Sequence, residues 1–226
     1  MSNVEGKIIV LGDVHGDHGR LNTFINKRRP KMILQCGDFG YWPNIVPEQK
    51  NKNFLKQYAI PKVQETKVYW ADGNHENHWA LRDIEDDEIW PNVFYMRRGS
   101  VLTLDDGRNV LFMGGATSID KHMRKLGYDW FPEENIDYND FNNLPDVNID
   151  IVISHTCPLE FEIKNIGLIK MKDPSRVALS EILERYKPSL WYFGHFHHYE
   201  TGYNNGCRWT CLADMRSSGA WEVLKD

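Results

Sequence analysis

Near its start the chain carries the apolar run Lys7-Ile8-Ile9-Val10-Leu11, followed directly by Gly12-Asp13-Val14-His15-Gly16. A short apolar run that ends at a glycine is typical of a buried β-strand. Apolar residues then recur at helical spacing from Leu21 to Ile25, and Pro30 stops the predicted helix. The segment therefore predicts a strand, a turn and a helix, the unit from which mainly parallel α/β sheets are built.

The same pattern recurs along the chain, because further predicted strands also end in polar fragments. These strands and fragments are 32–35 before Gly37-Asp38, 68–71 before Asp72-Gly73-Asn74-His75, 149–154 before His155, and 190–193 before Gly194-His195-Phe196-His197. In open α/β sheets, ligands bind at the carboxyl ends of the strands. We therefore expect these polar residues to meet at one edge.

Other segments predict the remaining elements of a single domain. Residues 100–113 read as a β-hairpin around an Asp-Gly turn, and Asn204-Asn205-Gly206 indicates a second hairpin. Helices are predicted at 48–58 and from Asp173 to Pro188. Residues 114–148 are aromatic and acidic with little periodicity, which favours a lid or surface insertion.

Composition restricts the class of protein. A chain of 226 residues, 41% hydrophobic and 26% charged, fits one ordinary globular domain, here 1–226. The formal net charge of -5 argues against a general nucleic-acid-binding surface. There is no apolar run long enough for a membrane span and no signal-peptide pattern, and four scattered cysteines form no disulfide framework. We therefore expect a cytoplasmic protein without a membrane partner.

The polar fragments contain ligands suited to divalent metal ions. Carboxylate oxygens and imidazole nitrogens both coordinate such ions, and an extended backbone would point Asp13 and His15 to the same side. The pair His195 and His197 has the same spacing. The two oxygens of Asp38 could bridge two ions. Singly, each residue is equally typical of a turn or a helix cap, but together they favour a metal site.

The combination resembles the calcineurin-like metallophosphoesterase superfamily. The motifs that carry the resemblance stand in order at 12–16, 37–38, 73–76, 154–155 and 194–197. The resemblance implies a β-sandwich flanked by helices in αββα layers, with a dinuclear metal site at the strand ends. Residues 114–134 are also similar to a segment of the small bacterial and phage-type members.

The resemblance also implies a role for each matching residue. The first ion would be held by Asp13, His15, Asp38 and His197, and the second by Asp38, Asn74, His155 and His195. His75 would assist departure of the leaving oxygen, as an acid or through its charge. The implied reaction is direct attack by a metal-bridging hydroxide, with two divalent ions for which manganese ranks ahead of iron, zinc, nickel and cobalt.

Residues that would bind substrate are less well defined by the sequence. Asp38-Phe39-Gly40 lacks the arginine found in the protein-phosphatase branch of the superfamily. Lys121 and Arg124 are candidate phosphate ligands, with a solvated loop as the equal alternative. Tyr41 is a candidate pocket wall or base-stacking residue, with packing as its alternative.

We therefore expect a hydrolase that cleaves phosphate mono- or diesters, acting on a small substrate, with a nucleotide as one candidate. Two other functions remain open. The first is a DNA or RNA nuclease of the same superfamily, against which the acidic charge balance argues. The second is a non-catalytic metal-binding scaffold, which the presence of every implied ligand disfavours.

Overall fold

A computed structural model describes residues 4–43, 61–164 and 173–226. The helix predicted at 48–58 lies outside these residues. The strands are β1 (Ile8–Leu11), β2 (Met32–Gln35), β3 (Lys67–Trp70), β4 (Glu88–Trp90), β5 (Val93–Tyr95), β6 (Val101–Thr103), β7 (Asn109–Met113), β8 (Ile151–Ser154), β9 (Leu190–Phe193), β10 (Glu200–Asn204), β11 (Cys207–Cys211) and β12 (Trp221–Val223). The α-helices are α1 (His18–Arg28), α2 (His78–Arg82) and α3 (Pro174–Tyr186).

The strands form two six-stranded mixed sheets. The first sheet has the order β12-β1-β2-β3-β5-β4, and its four inner strands are parallel. The second has the order β10-β11-β9-β8-β7-β6, again with four parallel inner strands. In each sheet the two edge strands run antiparallel to their neighbours. Strands β1, β2, β3, β8 and β9, which precede the polar fragments, all lie among the parallel strands.

Three apolar clusters arrange the elements in four layers. Val10 of β1 and Ile153 of β8 belong to the cluster that lies between the two sheets. Ile9 of β1 packs on the opposite face of the first sheet with Leu21 of α1. On the outer face of the second sheet, α3 contributes Leu179 to the third cluster. The αββα arrangement is therefore confirmed, and strands buried on both faces explain the continuous apolar runs.

The helix ends follow local sequence signals. Asp173 caps α3 by accepting hydrogen bonds from the backbone N–H groups of Ser175 and Arg176, and Pro174 occupies the first turn. The α1 helix is capped by Asp17 in the same way. None of the described helices is both long and apolar enough to cross a membrane.

Both predicted β-hairpins are confirmed as β6–β7 and β10–β11. The chain after β11 adds β12, which crosses to the first sheet beside β1 and was not predicted. Residues 114–148 contain three short 3-10 helices, at Lys121–Met123, Pro132–Glu134 and Asp140–Asn143. Phe131, Glu134 and Ile136 in this segment are buried, so part of it packs against the domain.

Candidate metal centre

Seven predicted ligands and His75 meet where the parallel strands of both sheets end. Their side chains include three groups of metal-binding type in which all ligand atoms lie within 4.8 Å of one another. The groups are Asp13 with His15 and His197, His15 with Asp38 and His75, and Asp13 with Asp38 and His155. Side chains that follow the strand ends of both sheets therefore form one continuous polar cluster.

The ligand atoms assigned to the second ion lie close together. Asn74 Oδ1 is 3.1 Å from His155 Nε2 and 3.0 Å from His195 Nδ1. His155 Nε2 is also 3.3 Å from Asp38 Oδ1. Separations of about 3.0 to 3.4 Å are those expected between neighbouring ligands about 2.1 Å from a common ion. These four side chains therefore fit one metal site.

The ligands assigned to the first ion are arranged similarly, except for Asp38. His197 Nε2 lies 2.8 Å from His15 Nε2 and 3.0 Å from Asp13 Oδ2. Asp38 Oδ2 faces the other nitrogen of His15, Nδ1, at 3.6 Å. The two carboxylate oxygens of Asp38 thus face two different histidines, His155 and His15.

Hydrogen bonds orient two of these ligands toward the cluster. His155 Nδ1 lies 2.8 Å from the carbonyl oxygen of Cys36, which can only accept, so Nδ1 carries the proton and donates. The other nitrogen, Nε2, therefore faces the cluster, and it can bind a cation once its proton is displaced. The Asp13 carboxylate accepts a hydrogen bond from the backbone N–H of His195. Such outer contacts are typical of built metal sites.

Glycines allow these side chains to approach the backbone closely. A Cβ on Gly194 would lie 2.0 Å from Asp13 Oδ1, and one on Gly73 would lie 2.1 Å from Asp38 Oδ1. Both separations are far below van der Waals contact, so larger residues would displace the carboxylates. The glycines of the sequence motifs are therefore explained by space beside the ligands.

The backbone of the motifs differs from the extended form assumed in the sequence argument. His15, His195, His197 and Asp38 all have left-handed φ values, of 50°, 67°, 52° and 53°. The expectation that alternation along an extended strand aligns Asp13 with His15 is therefore wrong. The strands end before these residues, and tight turns aim the side chains instead. Left-handed backbone at non-glycine residues is costly and concentrates at functional sites.

Burial and mutual charge shift the pKa values of the cluster in opposite directions. Burial opposes the charge of Asp38, but His155 and His75 hold the pKa of this carboxyl well below its usual range. Burial also opposes the charge of His155, but Asp38 raises its pKa to about 10. Burial and the positive His155 lower the pKa of His195 to about 3. Buried carboxylates among imidazoles form a donor set that fits divalent cations.

His75 lies beside this cluster with its ring partly exposed. Its Nε2 is 4.0 Å from Asp38 Oδ2 and 2.9 Å from Arg124 Nη2. Burial lowers the pKa of His75, and Arg124 lowers it further against the opposing effect of Asp38. A neutral ring can accept a hydrogen bond from the guanidinium. The structure thus brings Arg124, from the segment 114–148, to the ligand cluster.

The other two predicted substrate residues lie differently. Lys121 is exposed on its 3-10 helix. Tyr41 packs near Trp70 and Trp90 and lines a cavity of about 500 Å³ together with Trp79. Neither residue is among the side chains that form the three ligand groups.

Sequence reasoning missed several buried polar residues around the site. Glu76 accepts hydrogen bonds from the backbone N–H groups of Gly40 and Gly73 and thereby joins two ligand turns. Arg98 is buried and forms an ion pair with Asp72. Charged residues are rarely buried unless paired, and no local sequence signal identified these pairings.

Comparisons with known proteins agree with this arrangement. The family model described as calcineurin-like phosphoesterase matches residues 6–199. A lariat debranching enzyme from Gallus gallus is 24% identical over 233 residues, covering 84% of this chain and 42% of that protein. The chain thus spans less than half the length of this relative.

Two solved structures share the fold at low sequence identity. The phosphopantetheinyl hydrolase PptH from Mycobacterium tuberculosis has a TM-score of 0.51 and 13% identity, covering 99% of this chain and 97% of that one. GAP50, the anchor in the inner membrane complex of Plasmodium, has a TM-score of 0.51 and 14% identity, covering 92% and 71%.

Proposed function

Because the chain belongs to the calcineurin-like phosphoesterase family, we propose that it cleaves small phosphate mono- or diesters with two divalent ions, manganese being the first candidate. The observation that carries this proposal is the position of Asp38. One of its oxygens lies near His155, while the other faces His15. One buried carboxylate therefore connects two groups of ligands.

The proposed ligands are those implied by the sequence: Asp13, His15, Asp38 and His197 for the first ion, and Asp38, Asn74, His155 and His195 for the second. When bound, a metal pair activates water and neutralises charge on the attacking and leaving oxygens of a phosphate ester. The hydrogen bond from Nδ1 to the carbonyl oxygen of Cys36 keeps His155 Nε2 directed toward the site of this pair. Two ions and two carboxylates leave a positive formal charge that attracts a phosphate.

Two further residues would act on the substrate itself. We propose that His75 interacts with the leaving oxygen, and its Nε2, 4.0 Å from Asp38 Oδ2 at the margin of the cluster, supports this role. Arg124 is the proposed phosphate ligand, because its side chain is mostly buried with one nitrogen directed at His75. Asp120 pairs with Arg124 Nε at 2.8 Å and fixes its orientation. Lys121 and Tyr41 stay weaker proposals.

A nuclease is the second candidate function, because one sequence relative is a lariat debranching enzyme. A nucleotide is the first substrate candidate for the small-ester activity. We place either activity in a reducing compartment such as the cytoplasm, since all four cysteines are free.

The test is hydrolysis by the purified chain loaded with Mn²⁺, and in parallel with Zn²⁺ or Ni²⁺. Substrates are p-nitrophenyl phosphate, bis-p-nitrophenyl phosphate, nucleotides and single-stranded nucleic acid. We expect turnover of at least one small ester and a loss of about 100-fold or more in Asp38→Asn. Undiminished activity of this variant would contradict the mechanism.

Arg124→Ala separates substrate binding from metal binding. We expect a KM about tenfold higher, with both ions still bound, because a guanidinium binds phosphate but offers no lone pair to a cation. Lys125→Ala, at an exposed residue of the same segment, is the matched charge control. No activity on any substrate, together with intact binding of two ions, would favour the scaffold.

A further inference from the structure

We propose that Ser118 and Glu134 are positioning residues that hold the Asn74 amide with its oxygen directed into the metal centre. The inference rests on the proposed function, since it concerns a ligand of the second ion. It also gives the segment 114–148 a role in the site beyond covering it.

The three side chains form a buried chain of hydrogen bonds. Asn74 Nδ2 donates to Ser118 Oγ at 3.0 Å. Ser118 Oγ donates to Glu134 Oε2 at 2.6 Å, and the backbone N–H of Ser118 donates to Glu134 Oε1 at 2.7 Å. Asn74, Ser118 and Glu134 are 5%, 2% and 0% exposed. Water therefore has little access to replace these partners.

The chemistry of the hydroxyl group determines which end of the amide faces it. Both oxygens of the Glu134 carboxylate are occupied as acceptors, one by the Ser118 backbone and one by the hydroxyl. A serine hydroxyl has one proton, and here Ser118 gives it to Glu134, so Ser118 can only accept from Asn74. The amide must then present Nδ2 to Ser118 and Oδ1 to the opposite side.

The opposite side is the ligand cluster. Asn74 Oδ1 lies between His155 Nε2 and His195 Nδ1, at 3.1 and 3.0 Å. A rotated amide would place an NH₂ group there, and this group cannot coordinate a cation. It would also leave two oxygens facing one another at Ser118. The carboxylate of Glu134 thus selects the coordinating orientation of an atom two hydrogen bonds away.

The backbone around Ser118 and Glu134 holds this arrangement in place. The backbone N–H of Ala116 donates to the carbonyl oxygen of Glu134. Arg98, itself paired with Asp72, donates to the same carbonyl oxygen at 3.2 Å. The segment is therefore attached to the domain at the point where it contacts the metal ligand.

Glu134→Gln provides a direct test, because the carboxamide has nearly the same shape as the carboxylate. If the oxygen of the new carboxamide accepts from the Ser118 backbone, its NH₂ group donates to Ser118 Oγ. The serine proton is then free to donate to Asn74, which favours the rotated amide. Glu133→Gln in the same 3-10 helix removes the same charge and is the matched control, since Glu133 pairs with Arg82 instead.

The measurement is calorimetric titration of the metal-free protein with Mn²⁺ at about pH 8, because burial raises the pKa of Glu134 and this pH lies far above the usual glutamate range. We expect two ions in the wild type and in Glu133→Gln. In Glu134→Gln we expect one of the two affinities to fall about 10- to 100-fold, the usual effect of losing an outer partner of a metal ligand. Ser118→Ala, which removes the acceptor for Asn74 Nδ2, should weaken the same ion and serves if Glu134→Gln does not fold.

A double-mutant cycle distinguishes orientation from general damage. Asn74→Asp presents an oxygen in either rotamer, and in the double variant with Glu134→Gln the serine proton has a carboxylate to donate to. In the Asn74→Asp background, Glu134→Gln should therefore no longer weaken the ion. A merely structural role of Glu134 would give the same loss in both backgrounds.

The outcomes separate this inference from the proposed function. Fewer than two ions in the wild type would overturn the dinuclear site itself. Two ions in the wild type, with Glu134→Gln and Ser118→Ala binding both as tightly as Glu133→Gln does, would overturn only the positioning role. An equal loss in the wild-type and Asn74→Asp backgrounds would also overturn it.

Discussion

Replacing Arg98 by methionine should destabilise the domain severely, although Arg98 is not one of the proposed metal ligands and lies outside the sequence motifs that contain them. The guanidinium binds Asp72 through Nε and Nη2 and Asp140 through Nη1. It also donates to three backbone carbonyl oxygens, of Glu133, Glu134 and Asn135. Methionine fills part of the volume and makes none of these bonds.

The expected magnitude follows from the burial of Asp72, whose carboxylate is 0% exposed. Removing one partner of a buried ion pair costs about 3 to 5 kcal/mol, because the remaining charge stays desolvated. A domain of this kind has a free energy of unfolding of only about 5 to 15 kcal/mol. Arg98→Met should therefore lose a large part of the total stability.

The neighbouring Arg97 supplies a matched control. Its ion pair with Asp87 is exposed, with side chains 42% and 55% accessible. Pairs of this kind contribute about 0 to 1 kcal/mol. Arg97→Met should therefore change the free energy of unfolding by about 1 kcal/mol, allowing for its further bond to the carbonyl oxygen of Ile84.

The assay is urea unfolding followed by circular dichroism, with linear extrapolation to water. The double variant Arg98→Met with Asp72→Asn removes the unpaired charge and should recover part of the loss. If Arg98→Met were no more destabilising than Arg97→Met, the buried pair would not anchor the segment 114–148, and the reasoning would be refuted.

Three further predictions concern the site and its surroundings. His75→Asn should lower kcat about 100- to 10,000-fold while both ions stay bound, measured by steady-state kinetics and metal titration; an unchanged kcat would exclude the leaving-group role. Burial lowers the pKa of His78 to about 4, and its Nε2 donates to the carbonyl oxygen of Gly73. In the unfolded chain His78 is protonated near pH 6.5, whereas in the folded chain it is protonated only near pH 4. As the pH falls from 6.5 to 4, this residue should therefore reduce the free energy of unfolding by up to about 3 kcal/mol, and His78→Gln should lose this contribution in urea unfolding. Gly194→Ala would place a methyl group 2.0 Å from Asp13 Oδ1 and should weaken Mn²⁺ binding at least tenfold in calorimetry, and a wild-type affinity would show that the turn can adjust.

The strands that carry the ligands were predictable because burial on both faces leaves a continuous apolar run. The predicted bounds 32–35 and 190–193 match β2 and β9. Short strands such as β4 and β5 were not predicted, since three residues are too few to show a distinct periodicity.

The proposed ligands and their order were also predictable, because they follow strand ends and five of the seven stand directly beside a glycine. The directions of these side chains were not predictable, because they depend on left-handed turns at residues such as His15 and His195. The hydrogen-bond partners of the proposed ligands were not predictable either, because they lie far from the ligands in the sequence. Ser118 lies 44 residues from Asn74, and the hydrogen bond between them exists only once residues 114–148 fold back over the strand ends.

The position of residues 114–148 over the strand ends matters because the proposed ligands are divided between the two sheets. The first sheet contributes both carboxylates, Asp13 and Asp38, together with His15 and Asn74, whereas the second contributes only imidazoles, those of His155, His195 and His197. Neither sheet alone supplies all four proposed ligands of either ion: Asp13 lies beside His197, and Asn74 lies beside His155. The proposed ions therefore require the docked sheets, and the apolar layer between the sheets sets the distance between the two halves of the centre. Asn74 is the ligand for which docking is insufficient, because its amide has two orientations of nearly equal shape. A third element must therefore stabilise one of these orientations. The segment 114–148 does so through the Ser118 hydroxyl and the Glu134 carboxylate.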